Sequence, residues 1–281
     1  MSAPRVRLPL RSALTAGYFA LILTCLLAPL VVVIGGSFSA PAQEGVVMSY
    51  VQFPPERWTL KWYMEIPAAH YHALALSFGL GLAVALGACV LGVPAALGLV
   101  RGRFPGKTLV GALLRAPLQI PHVVTGIALL QLYYLVGDRS GWYLQGTLPG
   151  LFLGQLFLAT PFVIGSVAAV LQRFNMRMEE AALTLGASRW RTLRRVTLPV
   201  IMPGIFSGAL YAFIVSFVDV PVAMFLAASG RSTYPVELFY SMEQDFNPSS
   251  LASATLVCLF ALLLVIAAQR IVGLDQLLRS K

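Results

Sequence analysis

Six stretches of this chain are each long and apolar enough to cross a hydrocarbon layer. They run from about Ala13–Gly35, Leu74–Val100, Leu109–Val136, Leu148–Leu171, Val200–Ala228 and Leu251–Val272. A bilayer core needs roughly 20 consecutive apolar residues per helix. No water reaches that layer, so each backbone N–H and C=O must be bonded within a helix or a closed barrel. None of the six alternates with period two, which argues against a barrel. The pattern predicts an all-α membrane protein with six transmembrane helices, forming one domain over residues 1–281. Composition agrees: 58% of the 281 residues are hydrophobic and only 11% are charged, against about 25% charged in a soluble domain. Disorder is excluded on the same grounds. Cys25, Cys89 and Cys258 all fall inside apolar runs, so they read as inert thiols rather than a disulfide framework. The first stretch follows Arg5, Arg7 and Arg11 and could pass for a secretory signal. Its apolar part exceeds the ~7–15 residues of such a signal, and Ser37-Phe38-Ser39 is a poor cleavage site, so it reads as a retained helix.

Charge fixes the orientation. A net charge of +9 invites a nucleic-acid reading, but the basic residues sit in short clusters between apolar runs. That is how a membrane protein sets its topology. With the N-terminus in the cytoplasm, fifteen Lys and Arg fall on that side, among them Arg101 to Lys107 and Arg173 to Arg195. Four (Arg57, Lys61, Arg139 and Arg231) fall on the other side, and Arg115 lies within a span. Both termini are therefore expected in the cytoplasm. The longest outer segment, Ser37–His72, carries Trp58, Trp62, Tyr63 and Tyr71, which suit an interfacial belt. The next, Ser229–Ser250, contains one short helical pattern from Tyr234 to Tyr240.

Three enzymatic or ligand readings fail on spacing. Arg101-Gly102-Arg103-Phe104-Pro105-Gly106-Lys107-Thr108 resembles a phosphate loop, but the motif needs glycine where Arg101 stands. His70 and His72 lack a clustered third metal ligand. No serine or cysteine sits in a nucleophile elbow with a base in reach.

The loop between the fourth and fifth stretches, residues 172–199, carries the most information. Asn175 is a reasonable N-cap, and Glu179 and Glu180 fall where a helix start favours acids. Met178, Ala181, Ala182 and Leu185 share one face. Gly186 suits a left-handed helix end, Ser188 caps a second, basic helix, and Pro199 opens the next span. The expected unit is a helix, a sharp turn and a helix running into the membrane. Glu180-Ala181-Ala182, three residues, Gly186, nine residues and Val196-Thr197-Leu198-Pro199 resemble the EAA loop of permease subunits of bacterial ABC importers. Leu60-Lys61-Trp62-Tyr63, Arg101-Gly102-Arg103-Phe104-Pro105-Gly106-Lys107 and Phe217-Val218-Asp219-Val220-Pro221 extend the likeness to the spermidine/putrescine type.

The resemblance implies a bacterial inner-membrane location and four kinds of partner: a second permease of similar fold, two ATPase subunits, a periplasmic solute-binding protein and the lipid bilayer. It implies no nucleic acid and no cofactor in this chain, ATP and Mg²⁺ being bound by the ATPase. It also implies that Glu179, Glu180, Ala181, Ala182, Leu185, Gly186, Leu198 and Pro199 couple to that ATPase. The substrate it suggests is a polyamine or related organic cation. 2-Aminoethylphosphonate, opine-type compounds and ferric iron stay open, because cation-binding members often have two adjacent acids where this chain has Val218-Asp219. A stand-alone secondary transporter is the alternative of a different class; it would need paired broken helices in both halves.

Polar residues inside the spans are costly, about 2.5–3.5 kcal/mol for a charge at bilayer centre, and normally face protein or water. Arg115, Gln119 and His122 fall at i, i+4 and i+7 on the third span, so they share one face, and this is the one span that looks clearly broken. Pro117 and Pro121 remove helix hydrogen bonds there. Asp219 and Ser216 lie one turn apart in the fifth span. These five either line a translocation path or, as with an Asp219–Arg115 pair, lock helix packing. Snorkelling to the cytoplasmic surface is the competing reading for Arg115.

Overall fold

A computed structural model describes residues 10–40, 53–228, 230–244 and 248–279, with side chains from 15 to 263. Arg5, Arg7, residues 41–52 of the outer segment and the C-terminal basic side chains lie outside the described residues. In chain order the helices are α1 (Leu10–Gly36), α2 (Lys61–Met64), α3 (Ala68–Arg101), α4 (Lys107–Arg115), α5 (His122–Ser140), α6 (Leu148–Gln172), α7 (Arg177–Thr184), α8 (Arg189–Thr192), α9 (Leu198–Val218), α10 (Pro221–Leu226), α11 (Tyr234–Gln244) and α12 (Pro248–Arg279). A 3₁₀ turn, Ala116–Leu118, follows α4, and a π-helical turn, Leu193–Thr197, joins α8 to α9. Among the described residues there is no β-strand, only the isolated bridge between Ser39 and Trp58.

Among the described residues, four helical segments are long and apolar enough to cross a membrane: Thr15–Gly36, Ala68–Arg101, Leu148–Gln172 and Arg189–Val218. A fifth candidate is a bent pair, Lys107–Leu118 with His122–Ser140, whose halves meet at 103°. The apolar part of α12 that can be described is Pro248–Leu263; the side chains of 264–272, the rest of the expected sixth span, lie outside the described residues.

The chain divides into two compact units, residues 1–67 with 240–281 and residues 68–239. In the first, α12 packs on α1 and α2. The Tyr63 and Ser37 hydroxyls are 2.7 Å apart, and Trp62 Nε1 donates to the Ser39 carbonyl at 2.8 Å. Two of the expected belt aromatics thus fasten the loop after α1.

In the second unit α3, α6 and α9 form the core, with Val84, Val163, Val167 and Ile201 wholly buried. Small residues set the helix spacing. A Cβ added to Gly92 of α3 would lie 2.9 Å from the Val163 side chain, and one on Gly208 of α9 would lie 2.8 Å from Val163 Cα. Between membrane helices there is no water to expel, so close backbone approach through small residues supplies the packing. Tyr133 of α5 donates its hydroxyl to the Gly150 carbonyl at 2.8 Å, and Thr147 caps α6 by accepting from Gly150 N at 3.1 Å.

Two expected spans are broken: the third, as its prolines suggest in sequence, and the fifth, which sequence alone leaves continuous. Leu109–Val136 is broken after the 3₁₀ turn. Pro121 cannot donate to the turn before it, and a residue preceding proline is pushed out of the α region; Pro121 itself sits at ψ 133°. The single face expected for Arg115, Gln119 and His122 therefore does not form, because the helix axis turns between them. Val200–Ala228 also breaks. α9 ends at Val218, Asp219 is extended at ψ 123°, and Pro221 opens α10. The expected short helix of the outer loop is α11, whose Tyr234 N–H donates to Ser77 Oγ of α3 at 2.7 Å.

Candidate functional site

The hairpin built by α7 and α8 folds as its residue types dictate. Asn175 Oδ1 accepts from Arg177 N at 3.1 Å, one residue ahead of the structural N-cap Met176. Gly186 has φ +83°, the left-handed region that side chains other than glycine's rarely adopt. Its N–H donates to the Leu183 carbonyl at 2.9 Å and that of Ala187 to Ala182 at 3.0 Å, the paired bonds of a Schellman end. Ser188 Oγ accepts from Arg191 N at 3.3 Å and starts α8.

The apolar stripe of this hairpin faces outward. Leu185 is 88% exposed and Trp190 67%, with Met178 and Leu183 beside them in sequence and also exposed. Glu180, Ala181 and Gly186 are exposed, Ala182 and Leu198 half-buried, and Pro199 exposed at the base of α9. Exposed apolar surface of this kind marks contact with a partner protein or a membrane.

Glu179 departs from that set. Its carboxylate turns inward: Oε1 accepts from Arg101 Nη2 at 2.6 Å and from the Thr197 hydroxyl. The Arg101 guanidinium also lies over the Phe174 ring, 5.6 Å from its centroid. Arg101 and Thr197 were not legible as site residues. Arg101 reads in sequence as one of several basic turn residues, and Thr197 as part of the Val196-Thr197-Leu198-Pro199 run.

The second polar group lies where the two broken helices meet. α10 packs against α5, and Gly126 permits it: an added Cβ there would lie 3.2 Å from the Pro221 carbonyl. Asp219 has a fully buried side chain. Its Oδ1 lies 3.0 Å from His122 Nδ1, and its Oδ2 accepts from Ala223 N at 3.0 Å. His122 keeps 43% of its side chain exposed. Asp219 is thus held by an imidazole and a helix-start amide rather than by Arg115, which is exposed, as is Gln119. Ser216, buried, donates to Oε1 of the fully buried Gln155. Gln155 was missed, although a lone amide inside the apolar run of α6 is the signal that could have found it.

The family of the binding-protein-dependent transport system inner membrane component matches residues 88–274. The chain is 35% identical over 203 residues to the putrescine transport system permease protein PotI of Escherichia coli (strain K12), covering 71% of this chain and 72% of that one. It is 30% identical over 260 residues to the spermidine/putrescine transport system permease protein PotC of the same strain, covering 92% and 93%. The sulfate transport system permease protein CysT of that strain is 30% identical over 187 residues, covering 63% and 67%. In fold, the chain is similar to a crystal structure of a bacterial ABC transporter that imports the acidic polysaccharide alginate (TM-score 0.70, 17% identity, 97% and 99% covered). It is also similar to the MetNI methionine ABC transporter (TM-score 0.58, 18% identity, 76% and 98% covered). Taken with the capped hairpin and its outward apolar stripe, these likenesses settle the class: the chain belongs to the inner-membrane permease components of binding-protein-dependent ABC importers.

Proposed function

We propose that this chain forms half of the path by which a small organic cation of the polyamine type crosses a bacterial inner membrane. The observation that carries the reading is Asp219, a carboxylate with a fully buried side chain at the break between α9 and α10. A buried carboxylate needs a positive partner, and the polyamine permeases to which the chain is similar are named for solutes that supply one. His122 Nδ1 lies 3.0 Å from the carboxylate, and Ser216 and Gln155 add neutral polar groups within the core. Arg115, exposed at the end of α4, and Gln119, exposed after the 3₁₀ turn, are assigned to the cytoplasmic approach of the path.

In this reading six spans cross the membrane with both termini in the cytoplasm, supported by the fifteen-to-four division of basic residues. A second permease completes the path, and a periplasmic binding protein delivers the solute. Two ATPase subunits bind ATP and Mg²⁺, seat the α7–α8 hairpin and carry out hydrolysis, so the chain itself is not an enzyme and holds no cofactor. A stand-alone secondary transporter would leave the outward apolar stripe of the hairpin without a role.

A second reading keeps the complex and changes the solute. The Asp219 carboxylate is matched by an imidazole, and a mixed acid–base pair also suits a zwitterion such as 2-aminoethylphosphonate. Uptake by the reconstituted complex separates the two. Labelled putrescine is expected to accumulate on ATP addition, with unlabelled 2-aminoethylphosphonate failing to compete. Accumulation of 2-aminoethylphosphonate without putrescine would overturn the cation reading and leave the permease assignment intact.

A further inference from the structure

We propose that the Glu179 carboxylate is the mechanical joint through which movement of the α7–α8 hairpin enters the membrane helices. The proposal rests on the importer reading above and assigns roles to Glu179, Arg101 and Thr197 that docking alone does not require. One oxygen, Glu179 Oε1, bonds two chain segments far apart in sequence from each other. Arg101 is the last residue of α3, and Thr197 is the last residue of the π-helical turn leading into α9. α3 and α9 pack on one another and on α6, so a pull on this carboxylate reaches the core of the second unit without passing through a loop. The Arg101 guanidinium over Phe174 adds the segment between α6 and α7 to the same junction.

Burial separates this role from docking. The Glu179 side chain is 13% exposed and that of Arg101 26%, whereas the neighbouring Glu180 and Leu185 are open to a partner. A charge-assisted, guanidinium–carboxylate contact is about twice as strong as a neutral hydrogen bond and fixes direction as well as distance. The π-helical turn supplies compliance on the α9 side. Such turns are rare, and they occur frequently at functional sites; this one ends on the residue that Glu179 holds. Displacing the hairpin would therefore shift α9 by changing the π-turn while α3 moves as a rigid rod.

The test uses the full complex of permease pair, ATPase and binding protein in lipid nanodiscs. A nitroxide on a cysteine at Val218, the exposed last residue of α9, reports on that helix after replacement of the three native cysteines. The readout is the change in its spectrum between the nucleotide-free complex and the complex trapped with ATP and vanadate. In Glu179→Gln and in Arg101→Gln this change is expected to shrink at least about fivefold, the low end of allosteric coupling. ATPase co-purification and basal hydrolysis should stay unchanged. The double variant should lose no more than either single one, because both remove the same contact. Arg101→Lys, which keeps the charge without the planar fork, is the second variant if Glu179→Gln does not accumulate in the membrane. A full spectral change in the single variants would overturn the joint, as would loss of the ATPase from them, which would place Glu179 on the docking surface. Absence of any change in the unmodified chain would instead fall on the importer reading itself.

Discussion

Asp219 can hold a cation only if its negative charge, and not merely its hydrogen bonding, is what the path uses. Asp219→Asn separates these. The amide can still accept from Ala223 N and still meet His122, so α10 should keep its start. A charged hydrogen bond is worth about 1.5–3 kcal/mol, and each 1.4 kcal/mol is tenfold in binding. Putrescine uptake by the Asn variant is therefore expected to fall at least about tenfold, at normal assembly and normal docking of the binding protein. Unchanged uptake, measured on complexes of equal yield, would remove Asp219 from the path. At this scale the sequence was a good guide to which acid would be buried and a poor one to its partner. A lone acid in an apolar run announces itself through its desolvation cost. Its neighbour depends on how Pro117 and Pro121 redirect the chain, and an unbroken helix wheel places Arg115 and His122 together when the axis in fact turns between them. Glu179 shows the same limit. Its presence in the first turn of α7 followed from helix-start preferences, but which way it points depends on Arg101 and Thr197, 78 and 18 residues away.

Elements were legible in proportion to their apolar length. The helices α1, α3 and α6 lie where continuous apolar runs placed them. Pro94 and Pro161 sit inside α3 and α6 without ending them, because neighbouring helices and local adjustments accommodate the freed carbonyl. Proline alone therefore does not reveal a break. The breaks at 119–121 and 219–220 each precede a proline that opens or caps a new helix, Pro121 before α5 and Pro221 in α10. Packing of the three core helices gives a test at this scale. A side chain at Gly208 would meet Val163 Cα at 2.8 Å, and backbone cannot yield as a side chain can. Gly208→Val should overpack the α6–α9 contact by about 1–3 kcal/mol, seen as a lower unfolding temperature in detergent. Gly79→Ala in α3 faces open space and should be neutral or slightly stabilising, by up to about 1 kcal/mol. Equal behaviour of the two variants would contradict the close packing.

For the whole molecule the decisive quantity is the side of the membrane on which the hairpin lies. The basic clusters around it, Arg173 to Arg195, make the cytoplasm the expected side. A cysteine at exposed Ser188, in a chain whose native cysteines are replaced, should resist an impermeant maleimide added to intact spheroplasts. It should react in inverted vesicles. Labelling from outside would reverse the topology. The helical fold class and the capped hairpin were readable because each follows from local composition. The joint beneath the hairpin and the pairing of the two helix breaks were not, because both are contacts between residues far apart in the chain.

The central claim is that the outward apolar stripe of α7–α8 seats an ATPase. Leu185 is its most exposed member, and burying a leucine side chain contributes about 1.5–3 kcal/mol. The direct measurement is the amount of ATPase that co-purifies with the permease pair when Leu185 is replaced by glutamate. The expected result is a loss of at least about tenfold, with the second permease still bound and the helix content unchanged. Retention of the ATPase at the unmodified level would contradict the docking assignment.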